Sequence, residues 1–226
     1  MPLLETFASG NAQIGLWQIT ETEEELLQLT HSEHIAQEVG QFKSGLRRCE
    51  FLASRLLVLQ MLQKAYLPSA LPRKDAFGKP FLHESPHSLS LSHTTGMAAA
   101  ILSEAPATGL DLEPVKPAIL RIKQKFLSSA EQENVQENAQ LATLYWSIKE
   151  TIYKLHGKRK LLFKEHMLVQ PFTPNSKGGT AFATLIADGQ EITYPVQYQI
   201  RDELVLTWCN APENTPTNTY LQNPEL

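Results

Sequence analysis

The chain has 226 residues, 42% hydrophobic and 19% charged, which is the composition of a globular protein and not of a disordered one. Lys and Arg number 20 against 24 Asp and Glu, for a net charge of −4; no broad basic field is available for nucleic acid, and an anionic ligand needs a local cluster of cations. Two cysteines, Cys49 and Cys209, give neither a disulfide framework nor zinc spacing. The most apolar stretch, Phe51 to Leu67, is interrupted by Arg55, Gln60, Gln63 and Lys64, so no membrane contact is expected. The first residues carry Glu5 and no cationic run, so a cytoplasmic protein without a secretory signal is expected.

Ile14 to Ile19 reads as a strand. Thr22 and Glu25 have capping-box spacing ahead of Leu26, Leu27 and Leu29, which predicts a helix. From Lys43 to Tyr66, Leu46, Phe51, Leu52, Leu56, Leu59 and Leu62 recur at helical spacing, with Arg47, Arg48 and Arg55 set among them; Pro68 stops that helix. A loop leads to Phe77-Gly78-Lys79-Pro80. Strands are then predicted over Ser88 to Ser92, Met97 to Leu102 and Leu110 to Glu113, as one antiparallel run. Ala118 to Leu127 reads as a helix, Ser128 and Glu131 as a second cap, and Asn138 to Gly157 as a long helix with Leu141, Leu144, Ile148, Ile152 and Leu155 on its apolar side. Four strands follow, near Met167 to Gln170, Ala181 to Ile186, Glu191 to Ile200 and Glu203 to Trp208, before a Pro-, Asn- and Thr-rich tail that reads as loose. The pattern implies an α+β fold of two similar lobes, each a long helix on a small antiparallel sheet. The lobes are drawn at 1–110 and 111–210, with a tail at 211–226.

Two segments carry chemistry. In Gly109-Leu110-Asp111-Leu112-Glu113, residues two apart point to one face of a strand, so Asp111 and Glu113 project together. Their repulsion is costly unless a cation sits between them. In Trp146-Ser147-Ile148-Lys149-Glu150-Thr151-Ile152-Tyr153-Lys154, Glu150 and Lys154 stand one helical turn apart. Three carboxylates suit Mg²⁺, which binds through a few carboxylates and the phosphates of a substrate. Taken singly, the same pairs also fit a solvated strand end and an ordinary surface helix pair. Trp146 reads as core, and Lys149 as structural or as a rim charge.

The order of Phe77-Gly-Lys-Pro80, Leu91-Ser-His93-Thr, Gly109-Leu-Asp-Leu-Glu113-Pro, Phe126-Leu-Ser and Trp146-Ser-Ile-Lys-Glu-Thr-Ile-Tyr-Lys154 resembles the 4′-phosphopantetheinyl transferase superfamily, of the two-lobed Sfp-like type. Upstream, Arg47-Arg-Cys-Glu-Phe-Leu-Ala-Ser-Arg55 is similar to that family's basic helix. The resemblance implies a monomer with internal pseudo-symmetry. It also implies transfer of the phosphopantetheine arm of coenzyme A to a serine of an acyl or peptidyl carrier protein, with release of 3′,5′-ADP. Residue by residue, it implies that Asp111, Glu113 and Glu150 hold Mg²⁺, that Glu150 also serves as base, and that Lys154 neutralises a pyrophosphate oxygen. Arg48, Arg55, Lys79 and His93 are implied contacts of coenzyme A. Asp111 and Glu113 are expected to end the first lobe's sheet, facing Glu150 and Lys154 on the second lobe's helix. The stretch from His34 to Lys43, where many relatives carry two or three basic residues, is nearly free of cations. That leaves a second reading, a non-catalytic relative that binds coenzyme A or carrier protein.

Overall fold

The computed structural model describes residues 4–30, 32–67, 72–83, 85–157 and 161–213. They divide into one unit within 4–106 and another within 107–213, each of which mixes helix with antiparallel sheet, so the fold is α+β. None of the described helices is long and apolar enough to cross a membrane. Pro68 and the part of the tail from 214 onward lie outside the described residues.

The first unit runs β1 (Leu4–Ser9), β2 (Ala12–Gln18), α1 (Glu23–Thr30), α2 (Glu33–Val39), α3 (Gly45–Lys64), β3 (Pro72–Lys74), β4 (Pro80–Leu82), β5 (Ser88–Thr94) and β6 (Met97–Ser103). Four strands form a sheet in the order β1-β2-β6-β5, and β3 pairs with β4. Glu25 and Thr22 close the expected capping box at 2.8 and 3.3 Å. Helix α3 buries Phe51, Leu52, Leu57 and Met61 in a core with Trp17, Leu89 and Ala100.

The second unit runs β7 (Thr108–Pro114), a 3₁₀ turn (Pro117–Arg121), α4 (Lys123–Phe126), α5 (Ser129–Val135), α6 (Ala139–His156), α7 (Phe163–His166), β8 (Met167–Val169), β9 (Gly179–Ala187), β10 (Gln190–Arg201) and β11 (Leu204–Asn210). Its sheet has the order β7-β11-β10-β9-β8. The single helix expected over Ala118 to Leu127 is corrected to the 3₁₀ turn and α4. The break falls at Ile122, whose φ of −115° and ψ of 1° leave the helical region.

The expected antiparallel run of three strands is also corrected. Strand β7 does not extend the first sheet; it pairs along its whole length with β11, from Pro114 opposite Leu204 to Thr108 opposite Asn210. Asp111 and Glu113 therefore belong to the same unit as Glu150 and Lys154. The physical reason is the close passage of α6 over β7. A Cβ on Gly109 would overlap the carbonyl oxygen of Thr151 and press on the backbone nitrogen of Leu155, so only a residue without a side chain lets helix and strand approach so closely.

Helix α6 is anchored along its length. Asn138 caps its start, accepting from the Leu141 amide at 3.0 Å, and Gly157 closes its end at φ 75°. Its apolar side packs Leu144, Tyr145, Ile148 and Ile152 against Met167, Val196 and Val205. Lys149 is structural: it is fully buried and donates to Glu131 at 2.7 Å and to the carbonyls of Phe126 and Phe163 at 2.8 and 3.1 Å. Glu131 also accepts from the amides of Ser128 and Val169, so one ion pair ties α6 to the start of α5 and to β8. The charges are buried but fully hydrogen-bonded, which is the condition for such a pair to persist. Gly109→Ala should lower stability by about 1–3 kcal/mol or more, because the overlap is with backbone that cannot rotate away. A urea unfolding midpoint equal to that of the unsubstituted protein would contradict the close approach.

Candidate active site

The alternation of β7 and the turn of α6 bring two stripes together. Gly109, Asp111 and Glu113 share the strand face beneath the helix, and Trp146, Glu150 and Lys154 follow one another at four-residue spacing along it. The Lys154 ammonium donates to Asp111 Oδ1 at 2.8 Å and to the Leu110 carbonyl at 3.1 Å. Ser147 donates to the other Asp111 oxygen, Oδ2, at 2.8 Å. The indole N–H of Trp146 donates to Glu113 Oε1 at 2.9 Å, while its ring packs on Phe126 and Phe163 with centroids 5.1 and 5.2 Å away. Trp146 is thus a packing residue and also a donor to the acidic pair.

Glu150 is half-buried, and its carboxylate has neither a hydrogen bond nor an ion pair with any of the described residues. Its pKa is pushed up to about 7, chiefly by burial and then by repulsion from Asp111, with Lys154 opposing and Glu113 adding to the repulsion. Burial and the charge of Asp111 raise Glu113 as well, against the Trp146 hydrogen bond and the charges of Lys154 and Lys116. Lys154 thus lowers both Glu113 and Glu150, with Lys116 adding at Glu113, yet both carboxyls still resist ionisation.

This donor set, all hard oxygen, fits Mg²⁺ in its chemistry. The side chains are not already drawn in around one point, since among the described residues no three His, Cys, Asp or Glu groups stand where a single ion would meet them. The hydrogen bonds account for this, because Asp111 already engages Lys154 with one oxygen and Ser147 with the other.

The first unit holds the remaining sequence candidates in separate surroundings. Arg48 is ion-paired with Glu23 at 2.6 Å and donates to the carbonyls of Phe42 and Lys43, contacts that tie α1 to α3. Arg55 is buried, with its guanidinium 4.6 Å above the Phe51 ring. Lys79 ends a turn in which Asp75 accepts the amides of Phe77 and Lys79 at 2.8 Å each, and burial pushes its ammonium down to about 8. His93, at the end of β5, lies 2.6 Å from the Arg47 guanidinium through Nε2 and 3.4 Å from Glu50 through Nδ1. The sequence reading passed over Glu50, although Arg47 and Glu50 are three residues apart on a helix and so share a face. It also passed over Ser147 and Thr207; Thr207 stands directly opposite Asp111 across the β7–β11 pairing, which no local spacing reveals.

Residues 107–209 match the 4′-phosphopantetheinyl transferase superfamily, and this stretch covers nearly all of the second unit with Asp111, Glu113, Glu150 and Lys154 inside it. The second unit therefore resembles a domain of that superfamily. The chain is also 30% identical, over 119 residues, to the 4′-phosphopantetheinyl transferase psf-1 of Bacillus pumilus. That stretch is 47% of this chain and 49% of the relative, so the chain spans about half the length of the relative that it matches. The Phe77 to Pro80 loop, His93 and the arginine helix α3 lie outside the family match.

The raised carboxylate has a consequence for stability. The folded protein keeps the Glu150 proton to about pH 7, whereas the unfolded chain releases it near 4.5, so the unfolded state binds fewer protons in that window and stability falls as pH rises through it. Without ligands, Glu150→Gln should therefore melt higher than the unsubstituted protein at about pH 8 and lose that advantage at about pH 5. The same difference in melting temperature at both pH values would contradict the placement of Glu150.

Proposed function

We propose that the protein is an Sfp-like, Mg²⁺-dependent 4′-phosphopantetheinyl transferase that acts on an acyl or peptidyl carrier protein. The observation that carries this reading is the half-buried Glu150 carboxylate, unpartnered among the described residues and pushed up to about 7, one helical turn from a lysine that faces a second carboxylate. Such a group is a general base poised near neutral pH. The name of the Bacillus pumilus relative supports phosphopantetheine transfer. Each unit contains a long helix and a larger antiparallel sheet, of four strands in the first and five in the second, which supports reading them as two similar lobes.

In this reading the carrier serine oxygen bonds to the pyrophosphate phosphorus that bears the pantetheine arm. The bond from that phosphorus to the bridging oxygen breaks, and its electron pair leaves on 3′,5′-ADP. Glu150, ionised, takes the serine proton. Lys154 leaves its ion pair with Asp111 in part to meet the negative charge that develops on the pyrophosphate. Asp111, Glu113 and Glu150 would hold Mg²⁺, which would supply further fixed positive charge there. Arg48, Arg55, Lys79 and His93 are proposed to bind the nucleotide end of coenzyme A, with the Glu23 ion pair giving Arg48 a structural share.

Mixing the protein with an apo carrier protein, coenzyme A and Mg²⁺ should raise the carrier's mass by one phosphopantetheine, and excess EDTA should stop it. Glu150→Gln should slow turnover by about 10²–10⁴-fold at saturating metal. An unchanged carrier mass with the unsubstituted protein would favour the binding-only alternative. A loss below about tenfold in Glu150→Gln would remove the base role.

A further inference from the structure

Behind Asp111 lies a chain of hydroxyls with no place in the chemistry so far. Ser147 and Thr151 on α6 and Thr207 on β11 are all fully buried. Ser147 Oγ lies 2.9 Å from Thr207 Oγ1, and Thr207 Oγ1 lies 2.6 Å from Thr151 Oγ1. Each hydroxyl has one proton to give, and a carboxylate facing an ammonium accepts, so Ser147 is the donor to Asp111. Ser147 gives its proton to Asp111 Oδ2. Thr207 can then give its own to the Ser147 hydroxyl or carbonyl, at 2.9 and 3.0 Å, or to the Thr151 hydroxyl at 2.6 Å. Thr151 donates to Thr207, at the hydroxyl or at the carbonyl 3.3 Å away. In the arrangement that runs from Thr151 through Thr207 to Ser147 the protons point toward Asp111, and hydrogen bonds aligned in this way polarise one another.

A purely structural account is weak. Fully buried hydroxyls cost stability unless satisfied, and apolar residues of the same shape would fill the space without that cost. The chain also ends on the acidic pair that the neighbouring Trp146 engages through Glu113. Consecutive residues of α6 therefore hold the two carboxylates of β7, Trp146 holding Glu113 and Ser147 holding Asp111. Lys154 takes the free side of Asp111.

We propose that Thr151, Thr207 and Ser147 form a donor relay that orients Asp111 to receive a divalent cation, with Thr207 a positioning residue that itself touches neither metal nor substrate. The inference rests on the metal site of the proposed transferase. Removing an outer partner of a metal ligand typically weakens metal binding by about 10–100-fold.

The test is the dissociation constant of Mn²⁺, read as free ion by electron paramagnetic resonance in the presence of coenzyme A. Thr207→Val keeps the shape and removes the hydroxyl; because Thr207 acts on Asp111 through Ser147, it should weaken Mn²⁺ binding by up to about tenfold, the low end for an outer partner. Thr207→Ser restores the hydroxyl and should bind close to the unsubstituted protein. Val196→Ala, a core truncation on β10, controls for lost stability and should leave Mn²⁺ binding unchanged while lowering the melting temperature. Should Thr207→Val fail to fold, Thr151→Val makes the same comparison at the far end of the relay, with a smaller weakening expected. Binding in a folded Thr207→Val as tight as in the unsubstituted protein, or equal weakening in Val196→Ala, would overturn the relay alone. Absence of Mn²⁺ binding by the unsubstituted protein would overturn the metal site and the relay with it.

Discussion

The ammonium of Lys154 sits 2.8 Å from Asp111, with Glu113 and Glu150 close enough to feel both charges. Neighbouring carboxylates in a half-dry site repel one another and lose hydration, and Lys154, with Lys116 at Glu113, only partly offsets this. The unit responds by holding the groups from outside. Trp146 and Ser147 donate to Glu113 and Asp111. Gly109 lets α6 lie against β7, and the Lys149–Glu131 pair fixes the helix to α5 and β8. Glu150 alone of the three acids receives no donor among the described residues, and its carboxyl is pushed up to about 7.

In the proposed transferase that arrangement would couple proton and cation. In the proposed metal site, acids held back from ionising first by burial and then by mutual repulsion would gain when positive charge arrives, and ligation would displace protons. In the proposed reaction the same property serves twice. Once its own proton has been displaced, the Glu150 carboxylate would take one from a serine, and the lysine that balances Asp111 would turn toward a phosphate. Neither role requires a nucleophile from this chain.

The site was legible in the sequence to the extent that it depends on local periodicity. Two-residue spacing put Asp111 with Glu113, and four-residue spacing put Glu150 with Lys154. The capping boxes at Thr22 and Ser128 formed as their spacing implies. What was not legible depends on long-range pairing: the membership of β7 in the second sheet, the position of Thr207 opposite Asp111, and the passage of α6 over Gly109. Strand β1 escaped notice because its side chains from Glu5 onward are exposed or half-buried, so no apolar stripe marks it. Helix α2 offers only Ile35 and Val39 to the core, too few to reveal a period. Among the arginines of α3 the sequence could not tell which is committed; Arg48 is held by Glu23, while Arg47 meets His93.

The central claim, that buried acids around Lys154 await a cation, is tested most directly by a carbon-13 NMR titration of the glutamate carboxyl groups, with Glu150 assigned by the resonance missing in Glu150→Gln. Without ligands the Glu150 carboxyl should titrate at about 7, and Mg²⁺ with coenzyme A should drive its midpoint down. A midpoint near 4.5, the ordinary value for the group, and unmoved by the metal, would contradict the account.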